Sequence, residues 1–140
     1  MTDAAPAPER DLGRMLAGLE PQLRPGTYVF ARADTLPPGL RPVVTVAEDE
    51  GLTVVCTRDE AETAGLRHGF AAAWITLLVH SALDAVGLTG AVSAALAEAG
   101  LACNVVAGYH HDHLFVPTGQ GERAVEVLHA LSAGAAGSAG

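Results

Sequence analysis

Lysine is missing from this chain of 140 residues, and its basic residues are arginines scattered singly from Arg10 to Arg123. Nucleic-acid binding begins with a cationic footprint on phosphates, so a net charge of −8 with no basic run argues against that class of partner. The same balance disfavours an anionic membrane surface. Long apolar runs are also missing. The longest, Phe70–Val79, falls well short of the roughly 18 residues of a membrane span. No charged-then-apolar leader precedes the first amphipathic segment, so secretion is not indicated. Cysteine is scarce. Cys56 and Cys103 lie in apolar strand-like runs without Cys-x-x-Cys spacing, which reads as two reduced, buried thiols and not as a zinc or redox motif. Together these absences point to the cytoplasm.

The chain does have apolar residues in abundance, 49% of the total, enough for one packed core. Segments 1–9 and 133–140 are rich in Ala, Gly, Pro and Ser and read as loose tails. Between them, Leu12, Met15, Leu16 and Leu19 recur at helical spacing, and Pro21 with Arg24-Pro25-Gly26 ends that helix. Tyr28–Arg32 reads as a strand. Leu36-Pro37-Pro38-Gly39 is a turn-rich connection, because proline cannot continue a sheet. Val43–Val46 and Thr53–Cys56 form a hairpin around the acidic tip Glu48-Asp49-Glu50-Gly51, with Gly51 in the left-handed position. Thr57 and Glu60 have capping-box spacing, which opens a short helix to Ala64.

Phe70–His80 is the longest strand, and its continuous hydrophobicity places it at the centre of a sheet. Leu88, Val92, Ala95, Leu96 and Ala99 stripe the next helix, which Gly100 stops. Ala102–Gly108 and His113–Pro117 read as paired strands around Tyr109–Asp112. A last helix carries Ala124, Val127, Leu128 and Leu131 before dissolving into Gly, Ala and Ser. From Phe70 onward the order is strand, helix, strand, strand, helix. From Tyr28 to Gly65 it is the same with a turn in place of the first helix, a weak internal repeat of element order.

Three arrangements of polar residues invite chemistry. The loop Ser81–Thr89 opens a helix, whose unpaired N–H groups suit a carboxylate. Gly87, Leu88 and Thr89 would supply those groups, Asp84 could hold an ammonium, and Asn104 on the following strand could donate and accept. The alternative is that Asp84 or Ser81 caps the helix and that Asn104 serves a turn. His110-His111-Asp112-His113 contains zinc-ligand types, but neighbours on a strand point to opposite faces, and only His80 and His68 could add to them. A serine triad on Ser81 lacks its glycine-flanked elbow. Gly119-Gln120-Gly121 followed by Ala124 matches a dinucleotide fingerprint on paper, with too little chain after it to complete the unit.

With those elements placed, Ser81-Ala82-Leu83-Asp84-Ala85-Val86-Gly87-Leu88, the helix end Ala97-Glu98-Ala99-Gly100 and the strand entry Leu101-Ala102-Cys103-Asn104-Val105 resemble an ACT domain. Trp74-Ile75-Thr76, Val79-His80-Ser81 and His111–Pro117 resemble a group of small bacterial ACT-like proteins more narrowly. The resemblance implies an α+β, ferredoxin-like fold of tandem or intertwined βαββαβ units, with an antiparallel sheet covered by helices mainly on one face. A degenerate half would span residues 10–68 and a fuller one 69–132. The second half lacks its own fourth strand, so a strand from the first half is expected to complete its sheet. The resemblance further implies a non-catalytic regulatory module without cofactor or metal, which binds an amino acid or similar small carboxylate. Its ligand would touch Ser81, Asp84, Val86, Gly87, Leu88, Thr89, Cys103, Asn104 and Val105. A homodimer and a separate regulated enzyme or transporter are the implied partners. Two other readings stay open: a metal-dependent enzyme built on His110–His113, and an interaction module that has lost its ligand.

Overall fold

The computed structural model of the protein describes residues 7–79 and 81–138. The chain runs α1 (Leu12–Ala17), β1 (Pro21–Leu23), β2 (Tyr28–Ala33), β3 (Val44–Glu48), β4 (Gly51–Thr57), α2 (Arg58–Thr63), β5 (Arg67–Leu77), α3 (Leu88–Glu98), β6 (Asn104–Ala107), β7 (Asp112–Pro117) and α4 (Gly121–Ser138). The strands make one sheet in the order β3-β4-β2-β5-β7-β6, with β1 paired to β5 off that path. Every pairing is antiparallel. The fold is α+β and ferredoxin-like.

β5 organises the sheet. Its first half, Arg67–Ala72, pairs with β2, while Ile75–Leu77 on the same edge pairs with β1. β7 lies along the other edge from Ala72 to Leu77. Hence β3-β4-β2-β5 and β1-β5-β7-β6 are two ferredoxin-type sheets that share one strand. The fourth strand of the second unit does come from the first half of the chain, and it is β1. The sequence reading ran from helix to turn across Pro21–Leu23 and missed this strand. Three residues led by proline are too few to show a period.

Between the two units the β2–β5 register shifts by one residue, at a bulge where Phe70 takes a positive φ of 51°. A one-residue slip exchanges the faces of a strand. Before the bulge His68 shares a face with Ala31, and after it Ala73, Ile75 and Leu77 take that side. The whole sheet therefore keeps its helices on one face. There α1, α3 and α4 bury Met15, Leu19, Leu88, Val92, Leu96 and Leu128 against Ile75, Leu77, Leu114 and Val116. α2 contributes Ala61 to a smaller cluster with Val29, Ala31, Val54 and Cys56. On the helix-free face Phe115, Val55 and Ala72 are sealed by Phe30, Val44, Trp74 and Val106.

The capping box forms as the sequence indicates: Glu60 N–H donates to Thr57 Oγ1 at 3.2 Å, and Thr57 N–H to Glu60 Oε1 at 3.1 Å. The ends of the chain differ from the loose tails expected. Glu9 bridges Ser81, its carbonyl accepting the Ala82 N–H at 3.0 Å, and α4 continues through Gly134 to Ser138. Residues 1–6, 139 and 140 lie outside the described residues, as does His80. Among the described residues no helix is long and apolar enough to cross a membrane.

Candidate functional site

α3 opens on Gly87, whose φ of 101° is one that L side chains rarely adopt. A Cβ there would also approach Leu12 Cδ2 to 3.0 Å. No side chain caps the helix. Asp84, the obvious capping candidate, turns the other way and pairs with Arg10, Nη1 to Oδ1 at 2.5 Å, with both side chains largely exposed. The N–H groups of the first turn of α3 are thus left for something else, in contrast to the boxed N-terminus of α2.

A small pocket of about 50 Å³ lies at this point. Ser81, Ala82, Ala85, Leu88 and Thr89 line it from the β5–α3 connection. Ala107, Gly108, His111 and Asp112 line it from the β6–β7 turn. The turn is tight: Gly108 N–H donates to the His111 carbonyl at 2.8 Å, and a Cβ on Gly108 would stand 2.7 Å from that oxygen. The His111 Nδ1 atom is buried and has no hydrogen-bond partner among the described residues. Asp112 sits opposite Leu77 and Ala107 and so shares the helix-covered face. Burial raises its carboxyl above the usual aspartate value, with the neighbouring His113 and His111 pulling the other way.

His113 points to the opposite face. Its Nδ1 accepts the Trp74 indole N–H at 3.1 Å and lies 3.3 Å from Thr76 Oγ1. Arg24 Nε–H donates to that hydroxyl at 3.1 Å, and the guanidinium stands 4.9 Å from the Trp74 ring centroid. Burial, then His111 and Arg24, lower the imidazole's pKa below its ordinary value. The alternation read from the sequence therefore separates His113 from Asp112, and His68 lies far along β5. Among the described residues no three His, Cys, Asp or Glu side chains converge as a metal site would need.

Of the residues expected around a ligand, Ser81, Leu88 and Thr89 line the pocket, and Gly87 stands at the N-cap of α3 just before Leu88. Leu83 lines the pocket as well, whereas Val86, 83% exposed, is not among the lining residues. Asp84 is taken by Arg10. The structure does not bring Cys103, Asn104 or Val105 to this place. Asn104 is exposed on the helix-free face opposite Phe115, and Cys103 and Val105 pack against the main core. The reason is topological. β6 leaves the C-terminal end of α3 and runs parallel to β5, so its last residue returns to the N-terminus of α3, while its first residues lie roughly 10 Å short at ~3.3 Å per residue. That rule was available to sequence reasoning and would have directed attention to Ala107–Asp112. Cys103 is an inert thiol, pushed up to about 11 by burial, and Cys56 is buried and likewise raised.

The Gly119-Gln120-Gly121 step also has a packing role. A Cβ at Gly121 would come within 2.7 Å of Leu23 Cδ1 and 3.1 Å of Ala73, so glycine there lets α4 start directly over β1 and β5.

Among curated proteins no match to the chain is found. A solved protein of unknown function from Vibrio cholerae, described as a possible transport protein, is 40% identical over 86% of this chain and 95% of its own, with a TM-score of 0.78. An Agrobacterium tumefaciens protein (23% identity, 81% and 89% covered) superposes with a TM-score of 0.65. The regulatory subunit of aspartate kinase from Thermus flavus (11% identity, 81% and 96% covered) does so at 0.58 and shares the fold. Two family models, both described as ACT domain, match residues 7–73 and 70–130, and they meet inside β5. With its two interlocked ferredoxin-type units, this chain belongs to the ACT domain family.

Proposed function

We propose that the protein is a non-catalytic regulatory module that binds an amino acid in the pocket between Ser81–Thr89 and Ala107–Asp112. The observation that carries this reading is the N-terminus of α3. Its first-turn N–H groups have no side-chain cap, and Asp84, one of the two capping candidates, is paired with Arg10. A helix N-terminus in that state favours a carboxylate. The His111 Nδ1 in the facing wall adds a second polar group, without a hydrogen-bond partner among the described residues. The fold likeness to regulatory subunits of aspartate kinase is in keeping with a regulatory role. The regulated partner would be a separate cytoplasmic enzyme or transporter.

The helix-free face supports self-association. Phe30, Val44, Trp74 and Val106 lie there only partly covered, and Val46 beside them is 47% exposed. A homodimer packed through this face would let an amino acid favour one arrangement of subunits, to the extent that it binds the two arrangements differently.

The test is thermal unfolding of the purified protein with each of the twenty amino acids at millimolar concentration. A native-state ligand raises the midpoint through RT ln(1 + [L]/Kd). A response from at least one amino acid, carried to a defined stoichiometry by calorimetry, is the expected result. A flat panel would remove the reading.

A further inference from the structure

The pocket is more selective than its family resemblance requires. Its volume is about 50 Å³, which at ~10–15 Å³ per probe-sized water amounts to roughly four waters. Leu83, His110 and His111 line part of the pocket, while the rest of the wall is backbone and short side chains: Ala82, Ala85 and Ala107, with Gly108 held against the His111 carbonyl. None of the latter can swing aside as a long side chain would. Leu88 closes the inner end and is itself 4% exposed, packed into the main core.

The polar groups divide into two ends. At one, the uncapped first turn of α3 offers N–H donors and a partial positive charge. At the other, Asp112 presents a half-buried carboxylate that no arginine among the described residues pairs with, beside the buried His111 Nδ1, which has no partner among them either. An anion-binding end and a cation-binding end this close together match a zwitterion, not a simple carboxylate.

Resting on the amino-acid reading above, we infer that the pocket selects small α-amino acids, those with a side chain no larger than that of serine, and that Asp112 and His111 hold the ammonium. The carboxylate sits on the first turn of α3. His111 Nδ1 accepts an ammonium N–H, and Asp112 supplies the charge. Asp84, the ammonium partner suggested by sequence, is replaced in that role by Asp112.

The experiment is a thermal-unfolding and calorimetric series on the full chain with glycine, alanine, serine, valine, leucine and phenylalanine, alongside acetate and N-acetylglycine. Midpoint increases from glycine, alanine or serine, with none from leucine, phenylalanine, acetate or N-acetylglycine, are expected. Asp112→Asn, which keeps shape and removes charge, should weaken binding of the responding amino acid about tenfold or more. Asp84→Asn should change it less than threefold. A response confined to leucine or phenylalanine would overturn the size limit while leaving the amino-acid reading in place. Binding that survives N-acetylation, or that Asp112→Asn leaves unchanged, would overturn the ammonium assignment. Silence from all six amino acids of the series would overturn this inference, and silence from the other fourteen as well would remove the underlying reading.

Discussion

Asp112 and His113 are neighbours in sequence and opposites in environment, which makes their titrations informative. The folded-state pKa of Asp112 is raised, chiefly by burial. Such a group favours folding below its unfolded value, and that contribution is lost as pH rises through the folded value. At neutral pH its ionised form therefore costs stability in the unliganded protein. Asp112→Asn should raise the urea midpoint at pH 7 without amino acid, and the gap from wild type should close near pH 3. An Asn variant less stable than wild type at pH 7 would contradict a strained, waiting carboxylate. His113 has the reverse sign. Its pKa is depressed, so its contribution is present above about 6.5, the ordinary imidazole value, and is lost as pH falls through the lower folded value. Protonating it ends its role as acceptor for the only tryptophan. Trp74 fluorescence should therefore titrate with a midpoint below 6.5, and His113→Gln should abolish that step. Strand alternation told from sequence alone that these two could not share a site. Which of them faced a pocket was not legible, because that depends on where the helices lie.

At the scale of elements, local chemistry was easier to read than long-range pairing. The capping box of α2, the stripe of α3 and its stop at Gly100, and the centrality of β5 were all written in nearby residues. β1 and the Phe70 bulge were not, since each exists only because another strand lies beside it. The bulge yields a paired prediction. Phe70→Gly keeps the positive φ without a Cβ and should change stability by no more than about 1 kcal/mol, the lost ring contact with Phe30 offsetting the relieved backbone. Deleting Phe70 removes the extra residue, so β5 alternates without a break while Gly69 and His68 keep their faces beside Phe30 and Ala31. The deletion should therefore lower stability by no more than about 2 kcal/mol, read as a urea midpoint. A larger loss would mean that the extra residue is itself needed for β5 to pair with both β2 and β7.

On the scale of the whole molecule, the repeat in element order describes two units that cannot be cut apart where the sequence suggested a boundary. Residues 10–68 would keep two residues of β5 and lose the strand that closes their sheet. Residues 69–132 would keep most of β5 but lose β1 beside it, and with α1 the buried Met15 and Leu19 of the main core. Losing two such side chains, at about 2–5 kcal/mol each when truncated, is comparable with the whole net stability of a small domain. Expressed alone, segment 69–132 should lack near-UV circular dichroism and a cooperative urea transition. The same chain cut instead between Asp49 and Glu50 breaks only an exposed hairpin tip, and β3 keeps its full ladder with β4. Its fragments should remain associated through gel filtration and unfold in one transition. A cooperative fold for 69–132 by itself would show that the shared strand is a convenience of packing and that the two ACT units are independent.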